Sequence, residues 1–479
     1  MGIDVQSLNP DRGGDPEAVR QSQAKRFDSV ELVEEVAALY KQWVKISYEI
    51  SQIRQQVNAL QKDIGLKKRN KENADDLLKQ KSELDAKIEG LKTSETEADL
   101  VCKAQCAKIG NIVHPSVPVS QSEDDNVVVK TYHPDGPNAT PSQSADMLSH
   151  HEVMYRLEMT DADRGIKVAG HRGFFLTGDG VDLNQALISY GLSFLRERKY
   201  KRIQPPFFMK RTMMAKTAQL SEFDESLYKI EGNADDDELQ EDDKYLIATS
   251  EQPISALHAD EWFESPKEQL PIRYAGYSTC FRKEAGSGGR DTWGIFRVHQ
   301  FEKIEQFCIT EPEHSWEMFD SMIQHSEDFY QSLKLPYQLI AIVSGALNNA
   351  AAKKYDLEAW FPNQGAYKEL VSVSNCTDYQ SRALEVRCGL KKQGDTIKKY
   401  VHMLNGTLCA TERALCCIVE NYQTPEGVNI PEVLQPYMQG RTFLPYTRPL
   451  PKVQKALLQL ADSLRKLSLS EASGVGTPA

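Results

Sequence analysis

The stretches Tyr274-Ala-Gly-Tyr-Ser-Thr-Cys-Phe-Arg-Lys-Glu284 and Gly294-Ile-Phe-Arg-Val-His-Gln-Phe-Glu-Lys-Ile-Glu-Gln306 flank a glycine-rich run, Ala285-Gly-Ser-Gly-Gly-Arg290. The arrangement predicts strand, loop, strand. Side chains alternate across a strand, so Arg282 and Glu284 share one face of the first strand. Arg297, His299, Phe301, Lys303 and Glu305 share one face of the second. Such a face is no apolar core, because unpaired buried charges are too costly. Two readings stay open: a salt-bridge ladder across a hairpin, or a surface that holds a charged, partly aromatic ligand. Arg suits a phosphate, Phe a stacked base, and Glu an amine.

Two further stretches favour the ligand. Ala366-Tyr-Lys-Glu-Leu-Val-Ser-Val-Ser-Asn375 is β-like and places Glu369 near Ser372, a carboxylate and hydroxyl suited to a hard divalent cation bridging phosphates. Met403-Leu-Asn-Gly-Thr-Leu-Cys-Ala-Thr-Glu-Arg-Ala-Leu415 reads as a small-residue strand turning into a helix that Arg413 opens. Around them, strand-like runs (244–249, 338–343, 400–404) mix with helical ones (183–197, 315–333) without regular alternation. The expected fold class is α+β, an antiparallel sheet flanked by helices.

Ahead of this lies a long heptad seam: Leu32, Val36, Leu39, Trp43, Ile46, Ile50, Ile53, Val57, Leu60 and Ile64 step by four and three. Gly65 is expected to end the helix, and the polar, basic segment 67–73 to form a turn. A second helix follows on a weaker seam (Leu77, Leu84, Ile88, Leu91, Ala98, Cys102, Ile109). Two helices joined by a short turn run antiparallel, giving a coiled-coil arm with a basic tip. Lys67, Lys68, Arg69 and Lys71 sit at that tip, with Arg54 and Lys62 along the first helix. Periodicity alone leaves open an oligomerising coiled coil or an arm that touches a polyanion.

The boundaries expected are an arm domain at 1–115, a polar, Pro-rich linker at 116–148, a globular domain at 149–450 and a tail at 451–479. Fifty-seven basic against 69 acidic residues give a net charge of −12, which taken alone argues against a nucleic-acid partner. The acidity is uneven, however. It concentrates in 232–244, while basic groups cluster at 67–71 and in Arg196-Glu-Arg-Lys-Tyr-Lys-Arg202. Nine cysteines form no CxxC pair, so no zinc site is expected. The first fifteen residues fit neither a secretory signal nor a transit peptide, and no stretch approaches the ~20 apolar residues of a membrane span.

Taken together these blocks resemble class II aminoacyl-tRNA synthetases. Phe281-Arg-Lys-Glu284 is similar to the Phe-Arg-x-Glu signature of motif 2, and Gly406–Arg413 to motif 3. The helix 183–198 leading to Pro206 is similar to motif 1. Thr249-Ser250-Glu251, the segment 294–306 and the helical arm narrow the resemblance to seryl-tRNA synthetases of the eukaryotic cytosolic type.

The resemblance implies serine activation with ATP and Mg²⁺, transfer of the seryl group to the 3′ end of tRNA(Ser), a homodimer paired through motif 1, a cytoplasmic location and no membrane. It implies that Arg282 holds the α-phosphate and the serine carboxylate. Glu284 and the Val298 backbone would hold adenine, with Phe301 stacked on it. Glu369 and Ser372 would organise the metal-bridged phosphates, and Arg413 would grip the γ-phosphate. Thr249, Glu251, Glu305, Asn405 and Thr407 would surround the serine amine and hydroxyl, and the arm would meet the long variable arm of the tRNA. Trp293 departs from the Arg common at that place, which touches only a loop contact to the tRNA end. The competing readings are a paralogue that binds adenylate or RNA without charging tRNA, and a coiled-coil scaffold.

Overall fold

A computed structural model describes residues 2–10, 13–141, 143, 147–218, 226–230, 243–284, 293–390 and 398–450. The glycine-rich run, most of the acidic stretch and the tail from 451 lie outside these. The chain forms two compact units, one comprising Met1–Asp125 with Val343–Ala352, the other Asn126–Ile342 with the chain from Lys353 on.

In the first unit, α1 (Pro16–Arg26) begins with proline in its first turn, and Asp15 caps the amides of Glu17 and Ala18. The seam is realised by α2 (Glu31–Arg69) and α3 (Asp75–Cys106). Ile50 and Ile53 meet Ile88, flanked by Ile46, Val57, Leu84 and Leu91. At the base the buried set widens to Val33 and Tyr40, which pack with Cys102, Cys106, Leu8 and Val19. Burying each such aliphatic side chain contributes roughly 1.5–3 kcal/mol. Tyr40 packs with Cys102 while Glu49 pairs with Lys87 at 2.8 Å, so one helix rises as the other descends and the pairing is antiparallel.

One expectation is corrected here. Gly65 does not end α2; the helix runs on to Arg69, and Lys71 breaks it with a φ of 59°. Glycine inside a helix costs only ~1 kcal/mol, so it does not by itself stop one. Lys67, Lys68 and Arg69 therefore sit in the last helical turn, where cations also complement the helix dipole. All three are exposed, as are Lys71, Arg54 and Lys62.

The base of the arm closes on the segment 343–352. The buried Arg26 guanidinium donates to the carbonyls of Asn111 (3.0 Å), Asn348 (3.1 Å) and Ala351 (2.6 Å). Asn111 donates its side-chain amide to the Ala350 carbonyl at 2.8 Å. A Cβ on Gly110 would lie 2.7 Å from Arg26, so only glycine lets the guanidinium through.

The second unit is built on eight strands: β1 (Val127–Tyr132), β2 (Lys201–Ile203), β3 (Ile272–Phe281), β4 (Gln300–Thr310), β5 (Tyr337–Ala341), β6 (Lys353–Phe361), β7 (Ala366–Asn375) and β8 (His402–Ala410). Their order is β1-β5-β6-β7-β8-β4-β3-β2, antiparallel except for the β2–β3 pair. The Val127-Val-Val-Lys-Thr-Tyr132 edge strand corrects the linker reading of 116–148: a β-branched run inside polar sequence finds a partner in β5.

One face of the sheet packs on α4 (Asp179–Glu197), α6 (Ser315–Ser332) and α8 (Thr411–Asn421), with Leu187, Phe319, Met322, Leu415, Ile304 and Leu408 in one core. On the other face α5 (Glu251–Leu257) and α7 (Tyr379–Leu384) cover an apolar end around Ile254, Phe307, Ile309 and Met403. Among the described residues the rest of that face carries a cleft.

Candidate active site

Along β4 the cleft-bearing face reads Phe301, Lys303, Glu305, then Phe307 and Ile309. Polar residues at one end give way to the apolar core at the other. Arg282 and Glu284, read as strand residues, lie just beyond β3, and Arg297 and His299 precede β4. The strands hand over to a clamp: Arg282 N donates to the His299 carbonyl (2.9 Å), and His299 Nδ1 bonds the Arg282 carbonyl (3.0 Å). This gives His299 a structural part. It also places the Arg282 guanidinium 5.3 Å from the centre of the Phe301 ring.

Arg282, Glu284, Phe296, Val298, Phe301, Lys303, Glu369, Thr407 and Arg413 line one cleft. Arg413, third residue of α8, lies 4.9 Å over the Phe296 ring and 3.6 Å from Glu369 Oε2. Glu284 has a φ of 48° and faces Arg297 (3.5 Å) and Arg172 (3.7 Å). Ion pairs are thus present, as the ladder reading requires, but they rim a cleft rather than fill a core.

Strict alternation would put Glu369 and Ser372 on opposite faces. A bulge prevents this: Leu357 pairs with Val371 and Glu358 with Glu369, leaving Leu370 as an extra residue. Desolvation raises the Glu369 pKa, but the Arg413, Lys354, Arg282 and Arg297 cations outweigh it and lower the pKa overall. Asp356, opposite Ser372, was not singled out from sequence. Burial pushes its carboxyl up to about 7, with Glu369 adding to the effect and Lys354 and the Ser372 hydroxyl opposing it. Its Oδ1 is buried without a hydrogen-bond partner among the described residues. Carboxylate and hydroxyl oxygens of this kind fit a hard divalent cation. Among the described residues no group of three or more His, Cys, Asp or Glu forms a closed metal cage.

Beside the cleft lies a hydrogen-bonded cluster of polar side chains, the candidate polar pocket. Thr249 Oγ1 donates to Glu305 Oε2 at 3.3 Å and accepts from the Glu251 amide at 3.3 Å. Glu305 is 2% exposed and ion-paired with Lys303, another residue to which the sequence reading gave no role. Thr407 stands directly across from Glu305, set by a register shift between β4 and β8. Asn405 donates to Glu251 at 3.0 Å, and so does Gln380 at 2.7 Å. The approach of α5 depends on Gly276, across from Glu305: a Cβ there would lie 2.5 Å from Ile254 and 2.6 Å from Ser250 Oγ.

An antiparallel sheet flanked by helices, with Arg282 beyond one strand and Arg413 at a strand-to-helix turn lining the same cleft, is the architecture of a class II aminoacyl-tRNA synthetase core. The match is direct over residues 228–422, which fit the tRNA synthetase class II core domain (G, H, P, S and T). Residues 3–113 fit the seryl-tRNA synthetase N-terminal domain.

The chain is 58% identical over 450 residues to the cytoplasmic serine--tRNA ligase of Schizosaccharomyces pombe, covering 94% of this chain and 98% of the relative. Among solved structures it is similar to the cytoplasmic enzyme of Naegleria fowleri in complex with AMP (46% identity, TM-score 0.82, 94% and 100% coverage). It is also similar to the Pyrococcus horikoshii seryl-tRNA synthetase complexed with ATP (34% identity, TM-score 0.81, 93% and 100% coverage). The chain belongs to the seryl-tRNA synthetase family. Its activity is serine–tRNA ligation, and its type is the cytoplasmic one. No helix among the described residues is long and apolar enough to cross a membrane.

Proposed function

We propose that the cleft binds ATP and the adjoining polar pocket binds L-serine, so that the two substrates meet at Arg282. The observation that carries this is the position of Arg282, lining the cleft with Glu369, Arg413 and Lys303, the last of which is ion-paired with Glu305. Adenine stacks on Phe301, with Glu284 and the Val298 backbone at its edge. Arg413 takes the γ-phosphate. Glu369 and Ser372 would hold Mg²⁺, which would supply positive charge to the phosphates. Glu305 and Thr249 receive the serine ammonium, and Glu251, Asn405 and Thr407 its hydroxyl.

The serine carboxylate is a nucleophile at neutral pH. One of its oxygens bonds the α-phosphorus while the bond to the bridging oxygen breaks and pyrophosphate leaves. Arg282 aligns the two anions and stabilises the charge that builds on the phosphorus. No general base is required. A terminal ribose hydroxyl of the tRNA then takes the seryl group and AMP departs. A pocket that hydrogen-bonds the serine hydroxyl rejects alanine strongly, whereas threonine must be excluded by size.

Transfer RNA(Ser) is the acceptor, met along the arm by Arg54, Lys62, Lys67, Lys68, Arg69 and Lys71. A homodimer is supported by exposed apolar side chains leading into α4: Ile166 (48%), Val168 (72%), Phe175 (45%) and Val181 (42%). ATP–pyrophosphate exchange against each amino acid tests the active-site reading. Serine alone should drive it, and exchange that persists in Arg282→Ala would overturn the role given to that residue.

A further inference from the structure

Gln380 joins the polar pocket from α7, which follows β7 in the chain. It is 1% exposed, and its Nε2 donates to Glu251 Oε1, the oxygen that also accepts from Asn405 Nδ2. A carboxylate only accepts hydrogen bonds, so both amides must present their NH₂ groups to it. The Gln380 carbonyl oxygen is thereby left buried without a hydrogen-bond partner among the described residues. A glutamine kept for shape alone gains nothing from this arrangement, since an apolar side chain of equal length fills the space without an orphaned acceptor. What the amide adds is a charge-assisted hold on Glu251.

The hold reaches the rest of the pocket through short links. The Glu251 amide bonds Thr249, Thr249 bonds Glu305, and Glu305 pairs with Lys303. Asn405 lies on β8 two residues from Thr407, which faces Glu305. Two amides from separate elements, α7 and β8, thus grip one carboxylate oxygen and fix its direction.

We propose that Gln380 is a specificity-determining positioning residue for serine: together with Asn405 it locks the Glu251 carboxylate in the orientation that reads the substrate hydroxyl. This rests on the assignment of the pocket to serine. Gln380 itself touches no reacting atom; it acts through Glu251.

The test compares Gln380→Leu and Gln380→Met with Glu251→Gln in ATP–pyrophosphate exchange, measuring KM for serine and ATP, the serine-to-alanine ratio of kcat/KM, and the thermal midpoint. Loss of a hydrogen bond to a charged group should raise the serine KM by roughly 10- to 100-fold. The ATP KM should stay within about twofold and the serine-to-alanine ratio should fall by a similar factor to the serine KM effect. A serine KM unchanged in both Gln380 variants would overturn the proposal. So would equal losses in serine and ATP KM accompanied by a lower thermal midpoint, which would mark Gln380 as structural. If Glu251→Gln also leaves serine use intact, the pocket assignment itself has failed. If it impairs serine use and the Gln380 variants do not, only the role of Gln380 has.

Discussion

Arg282 is the residue on which the cleft turns, because it lines the cleft and its guanidinium lies 5.3 Å from the centre of the Phe301 ring. Arg282→Ala should lower adenylate formation by about 100- to 1,000-fold, the usual loss when one transition-state charge donor is removed, read by pyrophosphate exchange. Glu305→Ala should instead raise the serine KM with little change in the ATP KM. Glu412 invites a pH experiment. Burial pushes its carboxyl up to about 8 from 4.5, with the neighbouring Glu302 charge adding to the shift. Between those values the unfolded chain binds fewer protons at this site than the folded one. Its contribution is therefore whole at low pH and is lost as pH rises through about 8. Glu412→Gln should flatten the fall of thermal midpoint across that window, and parallel pH curves for the two proteins would refute it.

At the scale of elements, α5 sits against the sheet only because Gly276 offers no side chain. Gly276→Ala should push Ser250 and Ile254 outward, with a loss of about 1–3 kcal/mol from overpacking and a raised serine KM; denaturant unfolding and serine kinetics read the two effects. Elements also mark where reading from sequence stops. The heptad of α2 and the strand–loop–strand of β3 and β4 were legible because their periods are local. The end of α2 was not, since Gly65 marks a possible stop that the ~1 kcal/mol cost of one helical glycine does not enforce. The shared face of Glu369 and Ser372 depends on a bulge at Leu370 that only pairing with β6 creates. Asp356 and Gln380 were invisible for a related reason: each is brought to its pocket by a different strand or helix, and nothing in its immediate sequence marks it.

For the molecule as a whole, net charge is a poor guide to partners, because an average over the chain hides that Lys67, Lys68, Arg69 and Lys71 gather exposed at the tip of the arm. Reversing Lys67, Lys68, Arg69 and Lys71 together should leave pyrophosphate exchange unchanged and weaken tRNA charging. It should also reduce the slope of log affinity against log salt by up to roughly 0.9 for each phosphate that the arm no longer neutralises. An unchanged salt slope in a binding titration would remove the arm tip from the interface. Deleting roughly residues 55–91 is the coarser version: activation should survive and charging should not.

The closure of the arm base on 343–352 carries a consequence for biosynthesis. Arg26 needs the carbonyls of Asn348 and Ala351, yet more than three hundred residues separate them in the chain. During translation the arm emerges first and must wait, with its base incomplete, until that late segment leaves the ribosome. Until then the Arg26 guanidinium keeps water in place of those carbonyls, and the nascent arm goes without the stability that their hydrogen bonds add. The order in which the chain is made therefore differs from the order in which this unit can be finished.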